Sequence, residues 1–511
     1  MLAKVTSCGL IGLGGYQVQV EVDANAGMPY VEIVGLADIA IKESKERVRS
    51  AIKNSDLDYP LCRIIVNLAP ADLRKEGPLY DLPIALGILA ASGQLSLEGL
   101  ENSIVLGELS LDGRVRRVNG VLPMMIDARA RGVRRAFVPA ENGEEAAYIR
   151  GLEVIPVGSL RQMVALLRGE ETAEAVRPHP FRQEDDPGPD ADFRYIKGQE
   201  VAKHAVEIAV AGGHNILLIG PPGSGKTMLA RAIPSILPPL TFEEALEVTQ
   251  VHSVSGLLKD GIVRKRPFRS PHHSASMAAL IGGGPKSRPG TISEACHGVL
   301  YLDELTEFKR ETLEALRQPL EDGVVSVERV NAKVDYPANF MLVASMNPCP
   351  CGYYGDPSGK CRCTQGQIHR YLSKISGPLL SRIDLHIEVA RPRHAELNDK
   401  AEGESSASIR RRVEAARERQ RLRYAGEGIL TNSQLHGGMF DKYCALDRDG
   451  RQMLEMAFTR LHLSARAYRR ILMVARTIAD LEGCEDIAAA HVAEAIQYRS
   501  LDRKYWGGEG Q

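Results

Sequence analysis

The chain is 511 residues long, room for roughly three domains of ~150 residues, and its 44% apolar and 25% charged residues are an ordinary globular mix. Lys and Arg total 64 against 65 Asp and Glu, a net charge of −1, which argues against a generally basic nucleic-acid binder and leaves only local patches for such contact. Aromatics at 5% argue against base stacking as the main means of capture.

The first residues, MLAKVTSCGLIGLGG, have neither the long apolar run nor the cleavage site of a signal peptide, so a cytoplasmic protein is expected. Up to residue 168, short Val/Ile-rich runs alternate with helical patterns. VQVEVDANAG, MPYVEIVGL and CRIIVNLAP read as strands, and DIAIKESKERVRSAIKNS reads as an amphipathic helix. The longest apolar run, Leu82 to Ala91, is about half of the ~20 residues a membrane span needs, so no membrane contact is expected. Residues 169–192 carry eight acids against two bases, with frequent Pro and no apolar period, which predicts an acidic linker. Residues 193–394 alternate strands with helices, and 395–511 are mostly helical in period.

The strongest signal is NILLIGPPGSGKTMLARAI. An apolar strand from Ile216 to Ile219 runs into Gly220, Pro221, Pro222, Gly223, Ser224, Gly225, Lys226 and Thr227, and a helix follows. The glycines let successive backbone N–H groups curl around phosphates. Lys226 would reach the β- and γ-phosphates and Thr227 would ligate Mg²⁺, so the expected ligand is ATP with Mg²⁺. GVLYLDEL supplies a second apolar strand ending in Asp303, which would hold Mg²⁺ through water, and Glu304, which would polarise the attacking water. FMLVASMNPC is a further strand, and its Asn347 is placed to orient that water. Arg382, just before a strand in SGPLLSRIDLHIEV, suits an arginine finger reaching a neighbouring subunit's nucleotide. Arg466, at a helix start in SARAYRRIL, is a candidate γ-phosphate sensor. For both arginines a surface salt bridge is the plainer alternative.

Nine cysteines are too few, and odd in number, for a disulfide scaffold. Four of them cluster as Cys349-Pro-Cys351, the loop GYYGDPSGK, and Cys361-Arg-Cys363. Four thiolates suit tetrahedral Zn²⁺, although C-x-C is tighter than the usual C-x₂-C. An iron–sulfur cluster or unliganded thiols are the alternatives. Tyr353, Tyr354, Lys360 and Arg362 around this loop have the chemistry to meet single-stranded DNA by stacking and phosphate contact. KDGIVRKRPFRSPHH gathers Lys259, Arg264, Lys265, Arg266 and Arg269, and VVSVERVNAKVDYP reads as a β-hairpin carrying Arg329 and Lys333. These bases would grip a phosphate backbone or line a solvated face. The helix SIRRRVEAARERQRLRY alternates charge and reads as surface. His272 and His273, adjacent in sequence, are expected to point to different sides and, with no third ligand evident, stay unassigned.

Taken in order, GPPGSGKT, RPFRSPHHSAS, GGGPKSRPGTISEACHGVLYLDEL, SMNPCPCG and LLSRIDLH resemble the AAA+ ATPases, and within them the magnesium-chelatase-like ComM/YifB family. The resemblance spans essentially the whole chain. It implies an α/β fold: an AAA+ P-loop core of parallel sheet and flanking helices over 193–394, and a helical lid over 395–511. It further implies a homo-oligomeric ring, a hexamer, that hydrolyses ATP between subunits and drives DNA branch migration during integration of transforming DNA. In related AAA+ motors, hairpins such as that of Arg329 and Lys333 line the pore.

EGPLYDLPIALGILAASG, GELSLDGRVRRVNGVL and ARGVRRAFVPAEN look like the proteolytic domain of Lon, which implies an α+β fold for residues 1–168. In Lon the segment matching Glu76-Gly77-Pro78 is followed by the nucleophilic Ser, and here Leu79 follows. NGVLPMMIDA, where the catalytic Lys would lie, contains none. A Ser–Lys peptidase needs both groups, so this domain is expected to serve ring assembly, DNA contact or structure alone. Two readings compete with a DNA motor. A magnesium-chelatase motor subunit would lack the Lon-like domain and the four-cysteine loop. A protein-remodelling ATPase of the enhancer-binding type would need a GAFTGA-type loop, which MAALIGGGPKSRPG does not supply.

Overall fold

The alternating pattern at the start of the chain forms two sheets. The computed structural model describes residues 1–182, 192–259, 261–284, 288–329, 332–393, 396, 402–461 and 463–506. A four-stranded sheet takes the order Leu2–Ile11, Gly14–Asn25, Arg63–Ala69, Tyr30–Val34. Alternate residues Val18, Val20, Val22, Ile64, Val66 and Leu68 are buried beneath the helix Asp81–Ala91, which is itself buried at every position. That explains the apolar run: a helix apolar all round is a core helix. A smaller parallel sheet joins Ser103–Val105, Arg135–Pro139 and Glu153–Val157.

The acidic linker expected over 169–192 is docked in its first part. The Val176 backbone N–H donates to the Val154 carbonyl at 2.8 Å, and Phe181 meets Phe242 edge-on with centroids 5.7 Å apart. One backbone hydrogen bond and one aromatic contact pin an otherwise polar run; residues 183–191 lie outside the described residues.

The second sheet is fully parallel, in the order Phe268–Arg269, Val299–Leu302, Met341–Met346, Ile216–Ile219, Leu385–Glu388. Its four longer strands are almost wholly buried, as expected when helices cover both faces. The strand ending near Asn347 therefore lies between the phosphate-loop strand and the acidic strand. Val324–Arg329 and Ala332–Pro337 pair antiparallel as a hairpin.

The boundary expected at 394/395 falls outside the described residues, and the helices beyond it pack on the core. Ser406–Arg423 and Ala465–Glu482 pack on Glu200–Gly212, and one apolar cluster runs from Phe193 to Tyr498. The charge-alternating helix is an inter-element strap: Arg412 pairs with Glu207 at 2.6 Å, and Arg423 with the buried Asp480 at 2.5 Å. The last helix, Ser500–Trp506, returns to the sheet, where Lys504 pairs with Glu388 at 2.6 Å. The N-terminal domain is fixed to the core by the Gly120 N–H on the Ser253 carbonyl at 3.1 Å and by Arg117 on the Lys259 carbonyl at 2.8 Å. Among the described residues, no helix is long and apolar enough to cross a membrane.

Candidate nucleotide-binding site

The buried strand Ile216–Ile219 delivers the chain to Gly220 at the C-terminal edge of the parallel sheet, where open α/β sheets bind ligands. Gly220 has no room for a side chain: a Cβ would stand 2.2 Å from the Val389 carbonyl oxygen. Gly223 and Gly225 take φ of +75° and +92°, left-handed values that shape the loop ahead of the helix Lys226–Ala232. The Lys226 ammonium folds back into the loop, donating to the carbonyls of Gly220 at 2.7 Å and Pro221 at 2.9 Å, and to Asn347 Oδ1 at 3.3 Å. Burial lowers its pKa to about 8 against the pull of Asp303 and Glu304. A largely desolvated cation held by neutral oxygens is short of an anion, which a triphosphate would supply. The Ser224 hydroxyl beside it is buried without a partner among the described residues, an orphan that a phosphate oxygen would satisfy.

Thr227 Oγ1 donates to Asp303 Oδ2 at 3.2 Å, and the other oxygen of that carboxylate accepts from Ser345. The Tyr301 hydroxyl lies 3.3 Å from Thr227 Oγ1 and 3.0 Å from Ser345 Oγ. A hydroxyl beside a carboxylate is the oxygen donor set that Mg²⁺ takes, so Thr227 and Asp303 fit that ion. Glu304 follows at φ +51°, its backbone N–H on Asp303 Oδ1 at 3.0 Å. Its carboxylate stands at the rim, 3.6 Å from His273 Nδ1. Pro222 to Thr227, Asp303, Glu304 and Asn347 line a cleft of about 390 Å³.

Arg382 and Arg466 do not line this cleft. They share a second one, of about 630 Å³, with Glu321, Asp384 and Arg470. Arg382 is 7% exposed and pairs with Glu321, while Arg466 is exposed.

The four clustered cysteines converge. Their sulfurs all lie within 4.8 Å of one another, with Cys349 to Cys361 at 3.8 Å and Cys351 to Cys361 at 3.7 Å. A tetrahedron with ~2.3 Å metal–sulfur bonds has edges of about 3.8 Å, so Cys349, Cys351, Cys361 and Cys363 fit Zn²⁺. Within the cluster the protons are shared unevenly: against burial, backbone N–H groups of Arg362 and Tyr353 hold the Cys351 thiol down, while burial and the neighbouring sulfurs push Cys361 and Cys363 up.

The tyrosines of this loop are used inside the molecule rather than offered for stacking. Arg391 sits over the Tyr353 ring at 5.0 Å, and Tyr354 meets Tyr505 edge-on at 6.3 Å. Lys360 and Arg362 are exposed. Arg266, expected among the gripping bases, is consumed internally by the carbonyls of Pro238 and His297 and by Glu244 at 2.9 Å. Arg269 lies 3.6 Å from Glu294. Lys333 is exposed and 3.5 Å from Glu328; the Arg329 side chain lies outside the described residues.

Sequence reasoning missed several groups that shape the cleft. Gln199 donates to the Ser224 carbonyl at 3.1 Å, and Arg391 to the Pro222 carbonyl at 3.3 Å. Both arrive from distant segments, so spacing could not reveal them. Ser345, a polar residue inside the apolar MLVASM strand, was the one legible hint.

Comparison with known proteins agrees with this architecture. A family model described as magnesium chelatase, subunit ChlI, matches residues 192–397. A second, subunit ChlI of Mg-chelatase, matches 20–142, and a third, the ChlI C-terminal region, matches 403–499. The match over 20–142 removes one expected distinction, since the N-terminal domain does not by itself separate this chain from chelatase subunits. The chain is 45% identical to YifB of Salmonella typhimurium and 44% identical to the competence protein ComM of Haemophilus influenzae, in each case over 98% of both chains. The magnesium-chelatase 67 kDa subunit of Heliobacterium mobile is 28% identical over 31% of this chain and 28% of its own. A phosphate loop facing an acidic strand, in a chain related along its whole length to YifB and ComM, belongs to the ComM/YifB family of magnesium-chelatase-like AAA+ ATPases.

Proposed function

We propose that the chain is a cytoplasmic ATP-hydrolysing ring motor, a hexamer, that moves on DNA and drives branch migration during recombination of incoming strands. The observation that supports it best is the separation of parts. Lys226, Thr227, Asp303, Glu304 and Asn347 line one cleft, while Arg382 and Arg466 line another. A finger set apart from its own nucleotide serves a neighbour's, which makes hydrolysis a property of the subunit interface. In this reading Lys226 neutralises phosphate charge, Thr227 and Asp303 hold Mg²⁺, Glu304 polarises the attacking water and Asn347 orients it. Kinship over the full length with a protein named for competence supports DNA as the track. Arg329, Lys333, Lys360 and Arg362 would meet its phosphates, and Zn²⁺ would brace the cysteine loop. The N-terminal domain is read as Lon-like and non-catalytic, with Leu79 and the lysine-free helix Val121–Ala130 at the positions that would carry chemistry.

A chelatase motor is the second reading, favoured by the family models and by the 67 kDa relatives. ATP hydrolysis measured with single-stranded DNA, forked DNA and no DNA separates the two. The DNA motor requires several-fold stimulation and displacement of the forked strand. Assembled rings whose hydrolysis ignores both DNAs would leave the chelatase reading standing.

A further inference from the structure

Glu321 stands where a bound anion would. Its carboxylate pairs with Arg382, and its pKa is lowered by Arg382 first and then by Arg466 and Arg470. The Glu321 side chain is 57% exposed, whereas that of Arg382 is 8% exposed. The guanidinium also gives Nη1 to the Pro378 carbonyl at 2.8 Å, but its Nε is buried with no hydrogen-bond partner among the described residues. Arg470 already has a carboxylate of its own, Asp384 at 2.6 Å. Arg466 and the neighbouring Arg469 line the same cleft and are exposed. One exposed carboxylate thus faces several guanidinium groups, one of which carries an orphaned donor. Such a site prefers a multiply charged anion to a single carboxylate.

We infer that Arg382, Arg466 and Arg470 form one polyphosphate-binding site, and that Glu321 fills it in the lone chain and yields it to phosphates brought by a second copy. The inference deepens the trans role given to Arg382 above and rests on that reading for its physiological ligand. It adds what that reading lacks, a resident competitor and a third arginine. The competitor keeps the finger folded against its own subunit until a nucleotide-loaded neighbour docks.

The test uses the full-length chain with Lys226→Ala, which disables the phosphate loop, and inorganic tripolyphosphate as the probe in calorimetric titration. Adding Glu321→Gln should tighten binding about tenfold, because the amide fills the same space without the competing charge. Glu321→Ala should do the same, and Arg470→Ala should weaken binding by a similar factor. Equal affinity with and without Glu321→Gln would overturn the proposal, as would binding that ignores Arg470→Ala. In the otherwise native chain, Glu321→Gln should lower the protein concentration at which hydrolysis is half-maximal, with kcat at saturation retained. An unmoved midpoint also counts against the proposal. Full ATPase in Arg382→Ala, with tripolyphosphate behaving as expected, would instead sink the trans role and leave the site.

Discussion

Gly352 of the cysteine loop lies so close to Pro222 of the phosphate loop that a Cβ at 352 would stand 2.7 Å from Pro222 Cδ. Gly352 also takes φ +82° and donates its N–H to the Cys349 carbonyl at 2.9 Å. Arg391 reinforces the junction by bonding the Pro222 carbonyl while lying over Tyr353. The two loops form one wall, so the cysteine cluster and the nucleotide cleft share a surface. Replacing Gly352 with Val combines backbone strain with this clash. The variant should keep its metal by elemental analysis and lose about tenfold in affinity for a fluorescent ATP analogue. Unchanged affinity would mean the contact bears nothing.

The protein should carry about one zinc per chain. Four thiolates would close a tetrahedral shell with no open position, so a metal held there would be structural. The loop between the two pairs cannot hold its shape alone, so metal and local fold should be lost together. Cys361→Ser with Cys363→Ser should remove the zinc and weaken nucleotide binding through the shared wall. Absence of zinc and iron from protein purified without chelators would remove the site.

Lys226→Ala and Glu304→Gln should fail differently. The first removes a phosphate contact present in the ground state, so the ATP analogue no longer binds. The second leaves that contact intact and stops turnover, because its target is the attacking water. Near-normal hydrolysis in Glu304→Gln would strip that residue of its role.

Mixing tests the interface. Rings of Arg382→Ala subunits and rings of Glu304→Gln subunits should each be inactive. Mixed rings contain some interfaces with both native groups and should recover part of the activity. If mixed assembly is verified and no ratio exceeds the separate variants, the finger does not act across subunits.

Asp384 sets an acid limit on stability. Burial would raise its pKa, but Arg470 at 2.6 Å, His214 at 3.4 Å and the Asn215 N–H at 3.1 Å hold it at about 2. A carboxylate depressed below its ordinary value of ~3.9 stabilises the fold above that pH and stops doing so as pH falls towards 2. Asp384→Asn should cost about 3 kcal/mol at pH 7, since it leaves the half-buried Arg470 guanidinium without its carboxylate. The gap from the native chain, read from urea unfolding midpoints, should narrow between pH 5 and pH 3. A constant gap would assign the cost to packing instead.

The phosphate loop, the acidic pair, Asn347 and the hairpin were legible because each is a local pattern whose spacing states its geometry. The converging cysteines were legible for the same reason. Gln199 and Arg391 were not, since chain segments far from the loop bring them there. The tyrosines at 353 and 354 misled, because an aromatic in a polar loop looks available until its partners, Arg391 and Tyr505, are seen. The sequence could mark Arg382 and Arg466 as separate candidates. Only the fold shows them around one carboxylate.

The apolar cluster that runs from Phe193 to Tyr498 makes the unit of folding larger than the blocks visible in the sequence. The helix Glu200–Gly212 buries Ala202, Ala205, Val206, Ala209 and Val210, and the helices that help cover it come from Ser406–Arg423 and Ala465–Glu482. A shortened chain ending before residue 402 would leave that face bare, a contiguous sticky patch of the kind that drives aggregation. Anyone expressing the ATPase segment by itself should therefore expect inclusion bodies rather than a working fragment.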